Sequence, residues 1–245
     1  MENKILVVPD VHGRPFWRKV LDSELPVVFL GDYLDPYSYE GITKEQALKE
    51  FKDIVKFALM EPDRVTLLLG NHMAHYVGLS ADICRFDHNN CKEIYKIVND
   101  NKLLFQHCLK WGNAIFTHAG ITKGWLEHNN IPENFDTIDK DINRDIIFSD
   151  EYLPRPDYIG CLNLPITQIS WYRGGSDSNG SPMWADIEEM IKNPAFTDKI
   201  QIFGHTQLQK TGNFIHSKAS NWYCCDSRDV FIWDGTNLTL FKNDE

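Results

Sequence analysis

Ile5-Leu6-Val7-Val8-Pro9-Asp10-Val11-His12-Gly13 places four apolar residues in a row and then breaks them with an acid, an imidazole and a glycine. The run has strand length and reads as a buried strand ending in a turn. The same order recurs four more times. Residues 27–30 lead into Gly31-Asp32, residues 65–69 into Gly70-Asn71, residues 114–116 into Thr117-His118, and Ile200–Phe203 into Gly204-His205. Between the early runs lie helix-like stretches at 16–21, Lys44–Met60 and 91–109. In Lys44–Met60, Ala47, Leu48, Phe51, Ile54, Val55 and Ala58 recur at helical spacing. Strands alternating with helices predict an α/β domain.

Outward from this frame the pattern changes twice. Residues 124–166 are polar, with several Pro and Asn residues, and are expected to form a long loop or a small cap within a single domain over 1–245. After Lys199 strand character returns at 222–225, 230–233 and 238–241, joined by Asp226-Ser227 and Asp234-Gly235-Thr236-Asn237, which predicts an antiparallel meander and hence a mixed fold.

Composition narrows the function classes. With 245 residues, 42% of them hydrophobic, the chain can bury a sizeable core. Its 25 basic and 35 acidic side chains sum to a formal charge of -10, which argues against broad binding to nucleic acid or anionic membranes. A phosphorylated substrate would then require local positive charge, and metal ions could supply it. Cys84, Cys91, Cys108, Cys161, Cys224 and Cys225 show no C-x-x-C spacing, and the adjacent Cys224 and Cys225 are poorly placed to bridge each other. Lys4 begins an apolar run too early for a secretion signal, and no stretch is long and apolar enough to span a bilayer. The expectation is a cytoplasmic protein with reduced thiols and no membrane partner.

The five strand ends carry the chemistry. Singly, an Asp or Asn after a strand is a turn residue and a lone His a structural group. Together, Asp10, His12, Asp32, Asn71, His118 and His205 form an ordered set of ligand types, and side chains at the carboxyl ends of strands converge on one crevice. Gly13, Gly31, Gly70, Gly120 and Gly204 each stand beside one of them, allowing tight turns or close backbone approach. Carboxylate, imidazole and amide ligands without thiolate suit Mn, Fe or Zn, and the imidazoles are too many for a Mg or Ca cage.

As an ordered set, Asp10-Val11-His12-Gly13, Gly31-Asp32-Tyr33-Leu34-Asp35, Gly70-Asn71-His72, Thr117-His118-Ala119-Gly120 and Gly204-His205-Thr206 resemble the motifs of the calcineurin-like metallophosphoesterases. The resemblance spans 5–206. It is strongest to the branch of serine/threonine protein phosphatases and bacterial symmetrical diadenosine tetraphosphate hydrolases. It implies a sandwich of two mixed β-sheets flanked by helices, and two divalent metal ions, Mn foremost with Fe or Zn as substitutes. By the same resemblance Asp10 and His12 bind one ion, Asp32 bridges, and Asn71, His118 and His205 bind the second. A bridging carboxylate holds two cations roughly 3.5 to 4 Å apart, where a shared water can be activated for in-line attack on phosphorus. His72 is the implied general acid, with Asp35 orienting its imidazole.

This chain departs from the family at Pro36, where relatives carry a phosphate-gripping arginine, and at Met73, where they carry an acid. Arg173, in Trp171-Tyr172-Arg173-Gly174-Gly175, resembles another phosphate-contacting arginine of the family, and Arg14 lies close in sequence to the first motif. Gln207, where many metallophosphoesterases have a further histidine, agrees with the protein-phosphatase-like branch. His75, His88, His107, His128 and His216 match no motif and are expected to be structural or surface residues. The expected reaction is hydrolysis of a phosphate monoester on a protein, nucleotide or small molecule. The alternative is a dinucleoside polyphosphate pyrophosphohydrolase, with Tyr33, Tyr37, Tyr39 and Trp171 available to stack bases. A non-catalytic scaffold is disfavoured because no ligand position is lost.

Overall fold

The computed structural model describes residues 4–79, 84–144 and 164–242. Its strands, in chain order, are β1 (Ile5–Val8), β2 (Val27–Phe29), β3 (Val65–Leu68), β4 (Phe105–Gln106), β5 (Cys108–Trp111), β6 (Ala114–Thr117), β7 (Ile200–Phe203), β8 (Ile215–Ser217), β9 (Trp222–Cys224), β10 (Phe231–Trp233) and β11 (Leu238–Leu240). The helices are α1 (Lys44–Met60), α2 (Asn71–Ala74), α3 (Cys91–Asp100), α4 (Lys123–His128), α5 (Ile138–Asn143) and α6 (Ile187–Lys192), with short 3-10 turns between them. One sheet has the order β11-β10-β1-β2-β3-β4 and the other β5-β6-β7-β9-β8. Both are mixed, with β1, β2, β3 and β4 parallel in the first and β6, β7 and β9 parallel in the second.

The two-residue period of the strands decides the layering. Along β1 and β2, Ile5, Val7 and Val28 point between the sheets, where they meet Phe116, Ile202, Phe231 and Trp233. Their neighbours Leu6, Val8, Val27 and Phe29 point the other way onto the apolar stripe of α1, Ala47, Phe51, Ile54 and Ala58. Beyond the second sheet, Phe203 and Trp222 pack with Met190 of α6. Such side chains each contribute about 1.5 to 3 kcal/mol when fully buried, so both faces of the first sheet are anchored. The start of α1 is sharpened by a capping box: Thr43 Oγ1 accepts from the Gln46 backbone while the Gln46 side chain accepts from the Thr43 backbone.

Two expectations are corrected. The helix expected over 91–109 ends at Asp100: Cys91, Ile94 and Val98 are its buried stripe, and the Asn101 N–H turns back to Val98 O. Phe105 and Cys108 continue the apolar spacing but lie in β4 and β5, where they complete edges of the two sheets. The C-terminal meander also breaks, because β9 runs parallel to β7 and antiparallel to β8 in the second sheet, while β10 and β11 pair as a hairpin on β1 in the first. Buried Cys225, Asp226 and Ser227 carry the chain from one sheet to the other.

Part of the stretch expected as loop or cap is ordered body. Trp125 and Leu126 of α4 and Ile138 and Ile142 of α5 belong to the same apolar cluster as α1. Residues 145–163, with Cys161, lie outside the described residues. Among the described residues no helix is long and apolar enough to cross a membrane.

Candidate metal centre and active site

Each candidate ligand leaves the carboxyl end of a parallel strand. Asp10 and His12 follow β1, Asp32 follows β2, Asn71 opens α2 just after β3, and His118 and His205 follow β6 and β7. The loops are clamped to one another: the His12 N–H bonds Asp32 O at 2.7 Å and the Gly13 N–H bonds Tyr33 O at 2.9 Å. His12, Asp32 and His205 take left-handed backbones, with φ of 46°, 46° and 61°. Side chains rarely adopt that region, and such strain collects at functional sites. Two glycines are required by close approach: a Cβ at Gly70 would lie 2.2 Å from Asp32 Oδ1, and one at Gly204 would lie 2.2 Å from Asp10 Oδ1.

The hydrogen bonds leave lone pairs aimed at common points. His12 Nδ1 donates to Leu34 O at 2.7 Å and His118 Nδ1 donates to Leu30 O at 2.9 Å. A neutral imidazole so held keeps its Nε2 lone pair for a cation. His118 Nε2 then lies 2.9 Å from Asn71 Oδ1 and 3.1 Å from His205 Nδ1, a meeting of ligand atoms that a metal ion would reconcile. Asp32 Oδ1 accepts the His72 backbone N–H at 2.9 Å, while Oδ2 stands 3.7 Å from His12 Nε2 and 3.6 Å from His118 Nε2. The ligand atoms form two groups that share one residue: Asp10, His12 and Asp32, and Asp32, His118 and His205. The donor set fits two divalent ions.

Electrostatics agree. Burial drives His12 down to about 3, against the pull of Asp32, so the ring is neutral as a ligand must be. Burial also lowers His205, assisted by Arg173. Asp10 rises to about 6 through burial, opposed by His118 and reinforced by Asp32. Two buried carboxylates side by side call for cationic charge.

Beside this pocket lies a second group. His72 Nδ1 donates to Asp35 Oδ2 at 2.8 Å, His75 Nε2 lies 2.9 Å from the same oxygen, and Tyr76 Oη donates to Asp35 Oδ1. Burial works against ionisation of Asp35, yet hydrogen bonds from His72 and His75 hold it below the usual carboxylate range. Burial likewise opposes the charging of His72, but Asp32 and Asp35 outweigh it and carry the imidazole up to about 10. His75, expected to be structural, is a buried brace of the carboxylate that orients His72. No motif marked His75 or Tyr76; their position one turn beyond Asn71-His72 is the only sequence signal they carry.

The two arginines singled out in the sequence are both held by acids. Arg173 Nη2 donates to Thr206 Oγ1 at 2.8 Å beside His205, and its Nε lies 2.7 Å from Asp186. Arg14 is buried, with Nε 2.8 Å from Glu40 Oε2 and Nη1 donating to Asp10 O at 3.3 Å. A third arginine, unmarked in the sequence, reaches the site: Arg85 Nη2 lies 2.9 Å from His72 Nε2. Of the aromatic rings, Tyr33 is excluded from base stacking, because it is wholly buried with its Oη bonded to Leu68 O at 2.8 Å. Tyr37 packs edge-on to His12 at 5.1 Å, while Tyr39 and Trp171 are each 67% exposed.

The fold recurs in solved structures. A cold-active protein-tyrosine phosphatase of the psychrophile Shewanella sp. superposes with a TM-score of 0.55 at 16% identity, covering 97% of this chain and 77% of that one. A protein serine/threonine phosphatase from Saccharomyces cerevisiae, with similarity to human phosphatase PP5, gives 0.56 at 14% identity, covering 100% and 81%. At these identities the likeness is one of fold. No protein of curated function matches the chain. The family model of the calcineurin-like phosphoesterases matches residues 3–213. With the strand-end ligand groups in place across that span, the chain belongs to the calcineurin-like phosphoesterases, metal-dependent hydrolases of phosphate esters.

Proposed function

We propose that this protein hydrolyses phosphate monoesters by a dinuclear mechanism of the protein-phosphatase type. The observation that carries the reading is Asp32, whose Oδ2 stands between His12 Nε2 and His118 Nε2 and so joins the two ligand groups. In this reading Asp10 and His12 would hold one ion and Asn71, His118 and His205 the other, with Asp32 shared between the two groups. The chemistry that two divalent ions, Mn foremost with Fe or Zn as substitutes, would supply in that pocket is a more acidic water and charge neutralisation at the phosphoryl oxygens. His72 gives a proton to the departing oxygen, with Asp35 fixing the ring through Nδ1 so that Nε2 faces the substrate. Arg173, next to Thr206 and His205, binds the phosphoryl group, and Arg14 steadies the Asp10 backbone behind it. The unbridged thiols of Cys84, Cys108, Cys224 and Cys225 support a reducing compartment such as the cytoplasm.

A second reading, cleavage of a dinucleoside polyphosphate, is favoured by the exposed rings of Tyr39, hydrogen-bonded to Gln207 beside the site, and Trp171, two residues before Arg173. One screen separates them. Protein reconstituted with Mn is offered phosphopeptides, nucleoside and sugar monophosphates and dinucleoside polyphosphates, and product is identified. Release of inorganic phosphate from monoesters supports the first reading. Cleavage confined to dinucleotides supports the second, and no turnover by protein carrying both ions removes both.

A further inference from the structure

The Arg85 guanidinium is oriented without an acid to hold it. Arg14 and Arg173 are each paired with a carboxylate, Glu40 and Asp186, which offsets part of their charge. Among the described residues no carboxylate pairs with Arg85, and its Nε and Nη1 are buried without a hydrogen-bond partner. Its plane is fixed from below by the Tyr37 ring, whose centroid lies 3.7 Å from the guanidinium carbon. Its Nη2 meets His72 Nε2 at 2.9 Å, and the His72 ring lies 5.1 Å from that of the metal-ligand candidate His12. Arg85 holds a left-handed backbone with φ of 72°, a conformation that a non-glycine residue keeps only when its surroundings demand it.

A guanidinium with no carboxylate partner, stacked on an aromatic ring, keeps its charge available for an anion. The platform is itself informative. Tyr37 follows Pro36, so the loop that carries Asp35 offers a ring and no cation, and the cation arrives from the segment before α3. The same Tyr37 ring touches His12, so Arg85 and the first ligand group lie on adjoining sides of one side chain. His72 lies against both Arg85 and His12, so an anion held by Arg85 sits beside the proposed proton donor.

We propose that Arg85 is the principal protein cation for the phosphoryl group at this site, clamping an oxygen of the ester beside His72, with Tyr37 as its positioning residue. The proposal rests on the phosphoester reading for its substrate. Arg85 binds oxygens and takes no part in proton transfer; it holds the scissile group where His72 Nε2 meets the departing oxygen.

The test uses the full chain loaded with Mn, with inorganic phosphate and p-nitrophenyl phosphate as probes. Arg85→Ala is expected to weaken inorganic phosphate binding, measured by calorimetry, about ten- to hundredfold and to raise KM by a similar factor, with metal content unchanged. Arg85→Lys should regain part of the loss, and Tyr37→Leu should show a smaller loss with a larger effect on KM than on kcat. Should Arg85→Ala melt early, Arg85→Gln, which keeps a planar donor group without charge, takes its place under the same criterion. Unchanged phosphate affinity and KM in a folded Arg85 variant would overturn the proposal while leaving the phosphoester reading intact. If the wild-type protein hydrolyses no ester, the phosphoester reading fails, and calorimetry with inorganic phosphate still decides whether Arg85 binds the anion.

Discussion

The candidate ligand pocket draws Asp10, His12, Asp32, Asn71, His118 and His205 from strand ends in both sheets, whereas the proposed acid side draws Asp35, His72, His75, Tyr76 and Arg85 from segments after β2 and β3 alone. On the ligand side each residue is seated by the backbone: strained turns, glycines at Gly70 and Gly204, and carbonyls at Leu30 and Leu34 aim the lone pairs. On the acid side the residues are seated by one another, through a relay centred on the Asp35 carboxylate. A pocket built on strand ends should lose function in whole steps, and a relay should lose it by degrees.

The sharpest way to break that contrast is Asp32→Asn, which is expected to abolish turnover and lower the occupancy of both metals, because Asp32 is the residue common to the two ligand groups. Elemental analysis beside activity checks it, and two ions retained at full stoichiometry with unchanged activity would remove the bridge. His72→Ala should keep its metals and slow hydrolysis by about 10²- to 10⁴-fold, the range of a general acid. The loss should be greatest on alkyl phosphates and least on nitrophenyl phosphate, whose departing oxygen is weakly basic. An equal loss on both would make His72 a substrate-positioning group.

Arg173→Ala sits between the two regimes. Asp186 already engages its Nε, so one charge-assisted contact to phosphate is at stake and kcat/KM should fall about ten- to hundredfold, on the order of 1.5 to 3 kcal/mol. Kinetics at constant metal content measure it, with Arg173→Lys recovering only part; wild-type kcat/KM would assign Trp171-Tyr172-Arg173 to the surface. Tyr76→Phe should have the smallest effect. It deletes the hydrogen bond to Asp35 and the one accepted from the Asp87 N–H while His72 and His75 remain, lowering stability by ~1 to 3 kcal/mol and activity a few-fold. Thermal melts and steady-state rates read both, and a loss as large as that of His72→Ala would show that the relay fails as a unit.

The legible parts of the sequence were those with a local signature. The runs at Ile5–Val8, Val65–Leu68 and Ile200–Phe203 became strands because consecutive apolar residues of that length can be buried on both faces of a parallel sheet. The stretch after Asp100 was not legible, since Phe105 and Cys108 fit a helical stripe as well as a strand, and strand pairing with β3 and β6 decided between them. Trp222–Cys224 read as a neighbour of Phe231–Trp233, yet it pairs with β7 in the other sheet. Short strands carry no label for their partner.

By itself the sequence marked the candidate ligand set, because donors at strand ends repeat one local pattern, an apolar run, a glycine and a polar donor, that survives being read one segment at a time. Only the tertiary structure decided that Tyr33 is core, that His75 and Tyr76 brace Asp35, and that Arg85 reaches His72 over the ring of Tyr37. These are contacts between side chains far apart along the chain. Each depends on which way a loop turns after packing, and a residue type alone carries no record of that direction.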